Sequence, residues 1–261
     1  MSPNTLESLT RDLMRLGLTS GMIAMVHSAL GKVGYTVGGP ATLIGALKNV
    51  LGEQGTLVMP CESPQLLDPS ISRDPRARPE WDDTIREHLP VFDPLTTPTT
   101  LGAVPEAFRT WPGARRSSHP LVSVCASGAS ADEITSEHSL SFGEGANTPF
   151  EKLYDLDAYT LLLGVGFDRC TSLHYAESLT PNRRTTTHRY PIIEGGERVW
   201  VENPDMANDD GEHFPVVGER FMATGRVIED KVGEADALLF RTRELVDFAA
   251  DYFRDVLPDS N

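Results

Sequence analysis

The stretch "MIAMVHSALGKVGYTVGGPATLIGALKNVLGEQGTLVMP", Met22 to Pro60, decides the fold. It opens on a short apolar run, "MIAMV" (22–26), that reads as a buried strand ending at His27-Ser28. A glycine-rich loop follows, and Pro40 opens a helix whose apolar stripe is Leu43, Ile44, Leu47, Val50 and Leu51. A proline in the first helical turn gives up an N–H that has no intrahelical partner, and Gly52 suits the stop. "TLVMP" (56–60) is the next strand. Strand, helix and strand in this order make a parallel crossover unit, because parallel neighbours need a long return connection.

Outward from this unit the chain keeps alternating. Residues 4–17 carry Leu6, Leu9, Leu13 and Leu16 at helical spacing and stop near Gly17. Residues 61–100 are rich in Pro, Asp, Thr and Arg with weak periodicity, which predicts a long surface excursion beside a functional site. "LGAVPEAFRTW" (101–111) reads as a helix and "LVSVCAS" (121–127) as a strand. "TPFEKLYDL" has Thr148 as N-cap, Pro149 in the first turn and Glu151 to complete a capping box. "AYTLLLGVG" is a core strand, "ERVWVE" (197–202) an alternating one, and residues 235–257 read as an amphipathic helical end. The expected architecture is one α/β domain over 1–261. Its central sheet is mixed and partly parallel, flanked by helices, with an inserted loop and helix region.

Composition narrows the function. The 261 residues carry a formal charge of −15, the wrong sign for a nucleic-acid binder. Between Glu194 and Asp236 twelve acidic residues stand against four basic ones, a surface that attracts polycations or is merely solvated. No run approaches the roughly 18 to 20 apolar residues of a membrane span, and the N-terminus is unlike a signal peptide. Cys61, Cys125 and Cys170 are odd in number and form no CxxC, so neither a disulfide framework nor a thiolate zinc site is expected. A reducing cytoplasm is the expected compartment.

Three segments can carry chemistry. In "GVGFDRCTSLHYAE" (164–177), a helix capped by Thr171 puts His174 and Glu177 on one face. A carboxylate there holds one imidazole nitrogen and leaves the other to take a proton. Thr171 and the backbone N–H groups of the helix start then face a developing oxyanion. A histidine that only packs at a helix start has the same local spacing. Cys170, four residues before His174, is a rival nucleophile. A His-x-x-Glu pair can also ligate a metal, but the chain lacks a second pair such as HExxH, so no metal is expected. The second segment is the loop with Gly31, Gly34, Gly38 and Gly39, which lets backbone approach an anionic ligand and is neither a Walker A motif nor GxGxxG. The third, "ARRSSHPLVSV", offers Arg115, Arg116, Ser117, Ser118 and His119 to a phosphate.

These stretches occur together and in one order: "VHSALGKVGYTVGGPATLIGALKNVLGEQGTLVMP", "RRSSHPLVSV", "NTPFEKLYDLDAYTLLLGVG", "CTSLHYAE" and "VGEADALLFRTRELVDF". Across most of residues 10–253 the chain resembles the aminoglycoside 3-N-acetyltransferases, the antibiotic N-acetyltransferase family. The resemblance implies acetyl transfer from acetyl-CoA to the 3-amino group of a 2-deoxystreptamine aminoglycoside, without metal or covalent acyl-enzyme. It makes His174 the general base, Glu177 its partner carboxylate and Thr171 an oxyanion donor. It assigns coenzyme A to Ser28, Ala29, Leu30, Gly31, Lys32 and Val33, to Ser117, Ser118 and His119, and to the helix start at Phe150. Similar resistance enzymes carry an acidic D-x-D-like stretch after a Trp-containing strand. Here Asp205 keeps one place while Ala207 stands two residues on, and Asp209, Asp210 and Glu212 follow. Those four acids are the expected contacts of a polycationic amine, within an acceptor-side region spanning 194–236. The segment from Phe214 to Gly225 is shorter than in several such enzymes, which implies a different or more open amine site and leaves another amine, or a non-catalytic sensor, as alternatives. Monomer and homodimer both remain open.

Overall fold

A computed structural model describes residues 2–72, 74–181, 183–207 and 211–256. The first third of the chain holds α1 (Leu6–Leu16), β1 (Ile23–Ser28), α2 (Leu30–Val33), α3 (Pro40–Leu51), β2 (Thr56–Pro60) and α4 (Asp82–His88). The middle holds α5 (Ala103–Arg109), β3 (Arg115–Arg116), β4 (Val124–Gly128), α6 (Ala131–Thr135), α7 (Pro149–Asp155), β5 (Tyr159–Leu163) and α8 (Ser172–Ser178). The last third holds β6 (Thr185–Glu194), β7 (Glu197–Met206), α9 (Phe214–Met222), β8 (Ile228–Val232), β9 (Ala235–Arg241) and α10 (Thr242–Val256).

Seven strands form one sheet in the order β3-β4-β2-β1-β5-β9-β8. β2 and β5 both run parallel to β1, while β4 is antiparallel to β2 and β9 to β5, so the sheet is mixed. The inner strands β1, β2 and β5 are nearly continuous apolar runs because both faces are covered. Leu9, Leu13, Leu43, Leu47, Val104 and Phe108 of α1, α3 and α5 pack on one face. Phe150, Leu173, Ala176, Val217, Leu245 and Phe253 of α7, α8, α9 and α10 pack on the other.

From β1 the chain steps to β2 on one side and later reaches β5 on the other. The carboxyl end of β1 is therefore where the strand order reverses, the place at which open α/β sheets bind ligands. Gly164 ends β5 at φ +69°, and a Cβ there would lie 2.7 Å from that of Lys32. The chain turns there without a side chain and delivers α8 to the same edge.

Several expectations need correction. Residues 235–241 are strand β9, not the start of the terminal helix; α10 begins only at Thr242. The expected strand at 121–127 begins at Val124, because the N–H groups of Leu121 and Val122 donate to His119 Nδ1 (both 3.1 Å) and bend away from the ladder. Glu151 Oε2 accepts from Asn147 N (2.8 Å), not from Thr148, whose own Oγ1 caps Phe150 N (3.2 Å). The single strand at 197–202 is half of a hairpin: β6 and β7 pair over ten residues each, around Gly195 and Gly196 at φ +60° and +87°. Two positive-φ residues between paired strands match the right-handed strand twist.

The 61–100 excursion is ordered by this hairpin. Asp68, fully buried, accepts from Arg86 Nε and Nη2 (both 2.9 Å) and from Arg189 Nη1 of β6 (3.0 Å). Its own N–H donates to Arg189 O (2.8 Å). A small third core of Leu66, Leu121 and Tyr190 lies beneath. Among the described residues no helix is long and apolar enough to cross a membrane.

Candidate active site

At the switch point lies a cleft of about 750 Å³. Its floor is the carboxyl end of β1 (Val26, His27, Ser28) and Pro60 of β2. Glu62, Thr100, Leu101 and Gly102 supply one wall, so both roots of the excursion border it. Cys170, Thr171 and His174 come from the start of α8, with Gly211 and Phe214 opposite.

His174 is the third residue of α8, and its Nδ1 lies 2.8 Å from Glu177 Oε2 one turn on. The carboxylate can only accept, so the Nδ1 proton sits between them and, in the neutral ring, the lone pair is on Nε2. The ring of Phe214 packs edge-on against the imidazole at 4.7 Å. Burial alone would push the His174 pKa down, but Glu144, Glu177 and Glu62 outweigh it and lift it to about 9. Glu144, in the loop before α7, is buried without a hydrogen bond or ion pair to any described residue. Desolvation raises its own pKa to about 8, against the pull of His174. The Glu62 carboxyl is also raised, by desolvation first, with His174 and Arg169 pulling it back.

The expected residues divide clearly. His174, Thr171 and Ser28 meet in the cleft, and Glu177 joins through His174. Thr171 precedes the helix at φ −62° without capping it; its Oγ1 is buried and unpartnered, as is Ser28 Oγ. Ala29, Leu30, Gly31 and Lys32 run outward from Ser28 along α2, and Gly31 and Lys32 are exposed. Val33 is turned away: its side chain is in the core and its carbonyl accepts from Asn4 Nδ2 and Glu234 N. Phe150 is likewise a core side chain, against His138.

The basic island turns largely inward. β3 sends successive side chains to opposite sides. Arg115 pairs with Asp132 (2.9 Å), and Arg116 turns inward to Cys61 O (2.6 Å), Ser63 Oγ (2.9 Å) and Ser123 Oγ (2.9 Å). Ser117 and His119 are fully buried. Ser117 Oγ accepts from Val124 N and bonds His138 Nδ1 (both 2.8 Å), and of the Ser-Ser-His run Ser118 is the exposed residue. Among the described residues, the cation bordering the cleft is Arg169, paired with Asp168 (3.2 Å).

Asp205 is buried in β7, with Oδ2 3.2 Å from His188 Nδ1 and Oδ1 accepting from Met206 N (2.9 Å). It is committed within the hairpin rather than displayed. Glu212 is exposed beside Gly211. Asp209 and Asp210 lie outside the described residues. Cys170 is fully buried and desolvation lifts its thiol to about 12, which opposes formation of a thiolate there. Glu62, Glu144 and His27 were not expected from the sequence. Glu62 had one usable signal, its place just past the carboxyl end of a parallel strand.

A profile of the aminoglycoside 3-N-acetyltransferase family matches residues 25–254. The chain belongs to the aminoglycoside 3-N-acetyltransferase family. It is an acyltransferase, and acetyl-CoA is the acyl donor of these enzymes. It is 41% identical over 253 residues to the SPbeta prophage-derived aminoglycoside N(3')-acetyltransferase-like protein YokD of Bacillus subtilis (strain 168), covering 96% of this chain and 93% of that one. The crystal structure of YokD superposes with a TM-score of 0.95 at 40% identity, over 98% of this chain and 95% of that one. Aminoglycoside N(3)-acetyltransferase VII of Streptomyces paromomycinus is 36% identical over 98% of this chain and 93% of its own. The structure of AAC-IIIb in binary complex with CoASH has a TM-score of 0.86 at 30% identity, with both chains fully covered. The seven-stranded mixed sheet is thus the fold of the family.

Proposed function

We propose that the protein transfers an acetyl group from acetyl-CoA directly to the 3-amino group of a 2-deoxystreptamine aminoglycoside, in the cytoplasm, with His174 as general base. The observation that carries this reading is the 2.8 Å His174–Glu177 pair, with Glu62 lining the same cleft and the buried Glu144 acting on the imidazole from behind it. A polycationic amine is drawn to such a site, and each ammonium it brings competes with the His174 proton for the same carboxylates.

The chemistry follows from the proton balance. An ammonium has no lone pair, so it must give up a proton before its nitrogen can bond to the acyl carbon. His174 Nε2 takes that proton, while Glu177 steadies the imidazolium through Nδ1. As the carbon–nitrogen bond forms and the carbon–sulfur bond breaks, negative charge passes through the acyl oxygen, to which Thr171 Oγ1 donates. A base contributes roughly a factor of 10² to 10⁴ and an oxyanion donor about 10² to 10³. Holding amine and thioester together supplies much of the rest. Ser28 and the segment to Lys32 take the donor's pantetheine side. Glu212, Asp209 and Asp210, within the acidic 194–236 region, take the distal ammonium groups.

A second reading, the same transfer to another amine, is favoured by one observation: Asp205 is occupied by His188 and Met206. The test is thiol release from acetyl-CoA with a panel of aminoglycosides and simpler polyamines, with products mapped by position. A 3-N-acetyl aminoglycoside formed by the wild type and lost in His174→Ala is the expected result. Acetylation confined to other amines would select the second reading. Full turnover in His174→Ala would remove the assigned base.

A further inference from the structure

The cleft contains a second imidazole that the proton balance does not use. His27 is the fifth residue of β1, paired with Leu162 of β5 in the middle of the sheet. Side chains alternate along a strand, so His27 shares its face with Met25. Met25, Val58 and Leu162 pack in one core with Cys170, Leu173 and Ala176. His27 therefore rises from the floor of the cleft on the side that α8 covers, and it lines the cleft with Thr171 and His174.

Its environment is unlike that of His174. The residue is 5% exposed, Nε2 is buried, and the ring makes no hydrogen bond to any described residue. Two other buried and unpartnered polar atoms line the same cleft, Ser28 Oγ and Thr171 Oγ1. A buried polar group left unsatisfied is costly, and three in one cleft mark a place where a ligand supplies the partners. The chemistry of the set names that partner. It consists of an imidazole and two hydroxyls, all neutral, which suits a carbonyl oxygen that gains partial negative charge rather than an ammonium or a phosphate. The cation is served by the carboxylates around His174.

Building on the acetyl transfer proposed above, we infer that His27 is a further catalytic residue, a neutral imidazole whose N–H donates to the carbonyl oxygen of the acyl thioester. Ser28 and Thr171 complete the donor set. Burial, with no charged neighbour contributing, holds the His27 pKa down at about 4, so the ring stays neutral throughout the working range. Such a histidine is a poor base and a fitting electrophile, since a neutral imidazole polarises a carbonyl without carrying a charge. The two histidines thus divide the work: His174 handles the proton and His27 the oxygen.

The test combines rates with a spectroscopic readout on the donor complex alone. In His27→Phe, kcat falls about 10² to 10³, as for loss of one oxyanion donor. The dissociation constant for acetyl-CoA moves less than about threefold, and the alkaline limb set by His174 stays in place. His27→Asn, which restores a donor, recovers at least about tenfold of the loss. With acetyl-CoA carrying ¹³C at the thioester carbonyl, infrared difference spectra have the bound carbonyl band at lower frequency in wild type than in His27→Phe. Glu177→Gln leaves that band in place. Melting temperatures verify that each variant folds; if His27→Phe does not, His27→Asn and the wild-type band shift decide. A kcat within threefold of wild type in His27→Phe, or an unchanged carbonyl band, overturns the assignment. Failure of the function above reads differently. A wild type that acetylates no aminoglycoside but still shifts the carbonyl band loses the acceptor and keeps His27. A wild type that binds no acetyl-CoA loses both.

Discussion

Replacing Glu144 with glutamine isolates the electrostatics of the base. The substitution keeps shape and removes a buried carboxyl that ionises only around pH 8 and above, and that has no hydrogen bond to a described residue to lose. In the intact protein, burial lowers the His174 pKa and Glu144 is the foremost group raising it, with Glu177 and Glu62 behind, to a net value of about 9 against an ordinary 6.5. Neutralising one of three such carboxylates lowers it by about one pH unit, equivalent to about 1.4 kcal/mol. The effect shows above about pH 8, where Glu144 is ionised: at pH 8.5 a base with a pKa of about 9 is roughly a quarter neutral and one near 8 roughly three quarters, so the active fraction rises about threefold. The assay is kcat/KM across pH 6 to 10, which reports ionisations of the free enzyme, with a parallel NMR titration of the His174 ring. The expected limb rises toward about pH 9 in wild type and about one unit lower in Glu144→Gln. An unmoved limb, an upward move, or a wild-type ring titrating near 6.5 refutes the reasoning.

Other expectations are simpler. His174→Ala lowers kcat by about 10² to 10⁴ while acetyl-CoA still binds, measured by stopped thiol release and by calorimetry. Cys170→Ala keeps turnover close to wild type and no acyl-enzyme appears by mass, because the buried thiol stays protonated; an acetylated Cys170 in wild type would contradict this. Asp68→Asn costs about 2 kcal/mol, the lower side of a broken buried ion pair because Arg86 and Arg189 keep some solvent. That loss is about 4 to 8 °C in melting temperature. Hydrogen bonds from Arg86 hold the Asp68 carboxyl well below the usual range, so the stability it provides is full above about pH 4 and is lost on further acidification. The melting difference between wild type and Asp68→Asn is therefore constant at neutral pH and shrinks below pH 4; a difference that grows there would contradict the sign.

How far the sequence could be read depended on whether a signal was local. The β1–α3–β2 unit is written in short-range periodicity, and the His174–Glu177 spacing is a helical i, i+3 relation that survives in the structure. Residues 235–241 read as helix because a short apolar run that abuts a helix has no period of its own. The hairpin had a usable mark in Gly195-Gly196, but its first strand, "TTTHRYPIIE", is polar and interrupted by Pro191, which masks its alternation. Arg116 looked like an anion contact because composition gives charge without direction; a two-residue strand turned it inward. Glu62 and Glu144 stand far from His174 in the chain, and only the topology of the sheet brings them to it.

The Asp68 junction also governs how relatives of this chain can be recombined. One carboxylate receives guanidinium groups from two separately encoded insertions, the excursion and the β6–β7 hairpin. Grafting residues 61–100 from another member without its hairpin leaves Arg189 facing a foreign partner, and the reverse graft leaves Asp68 with Arg86 alone. The two insertions are therefore a single exchangeable cassette, and swaps meant to retarget acceptor choice keep their stability only when both are moved together.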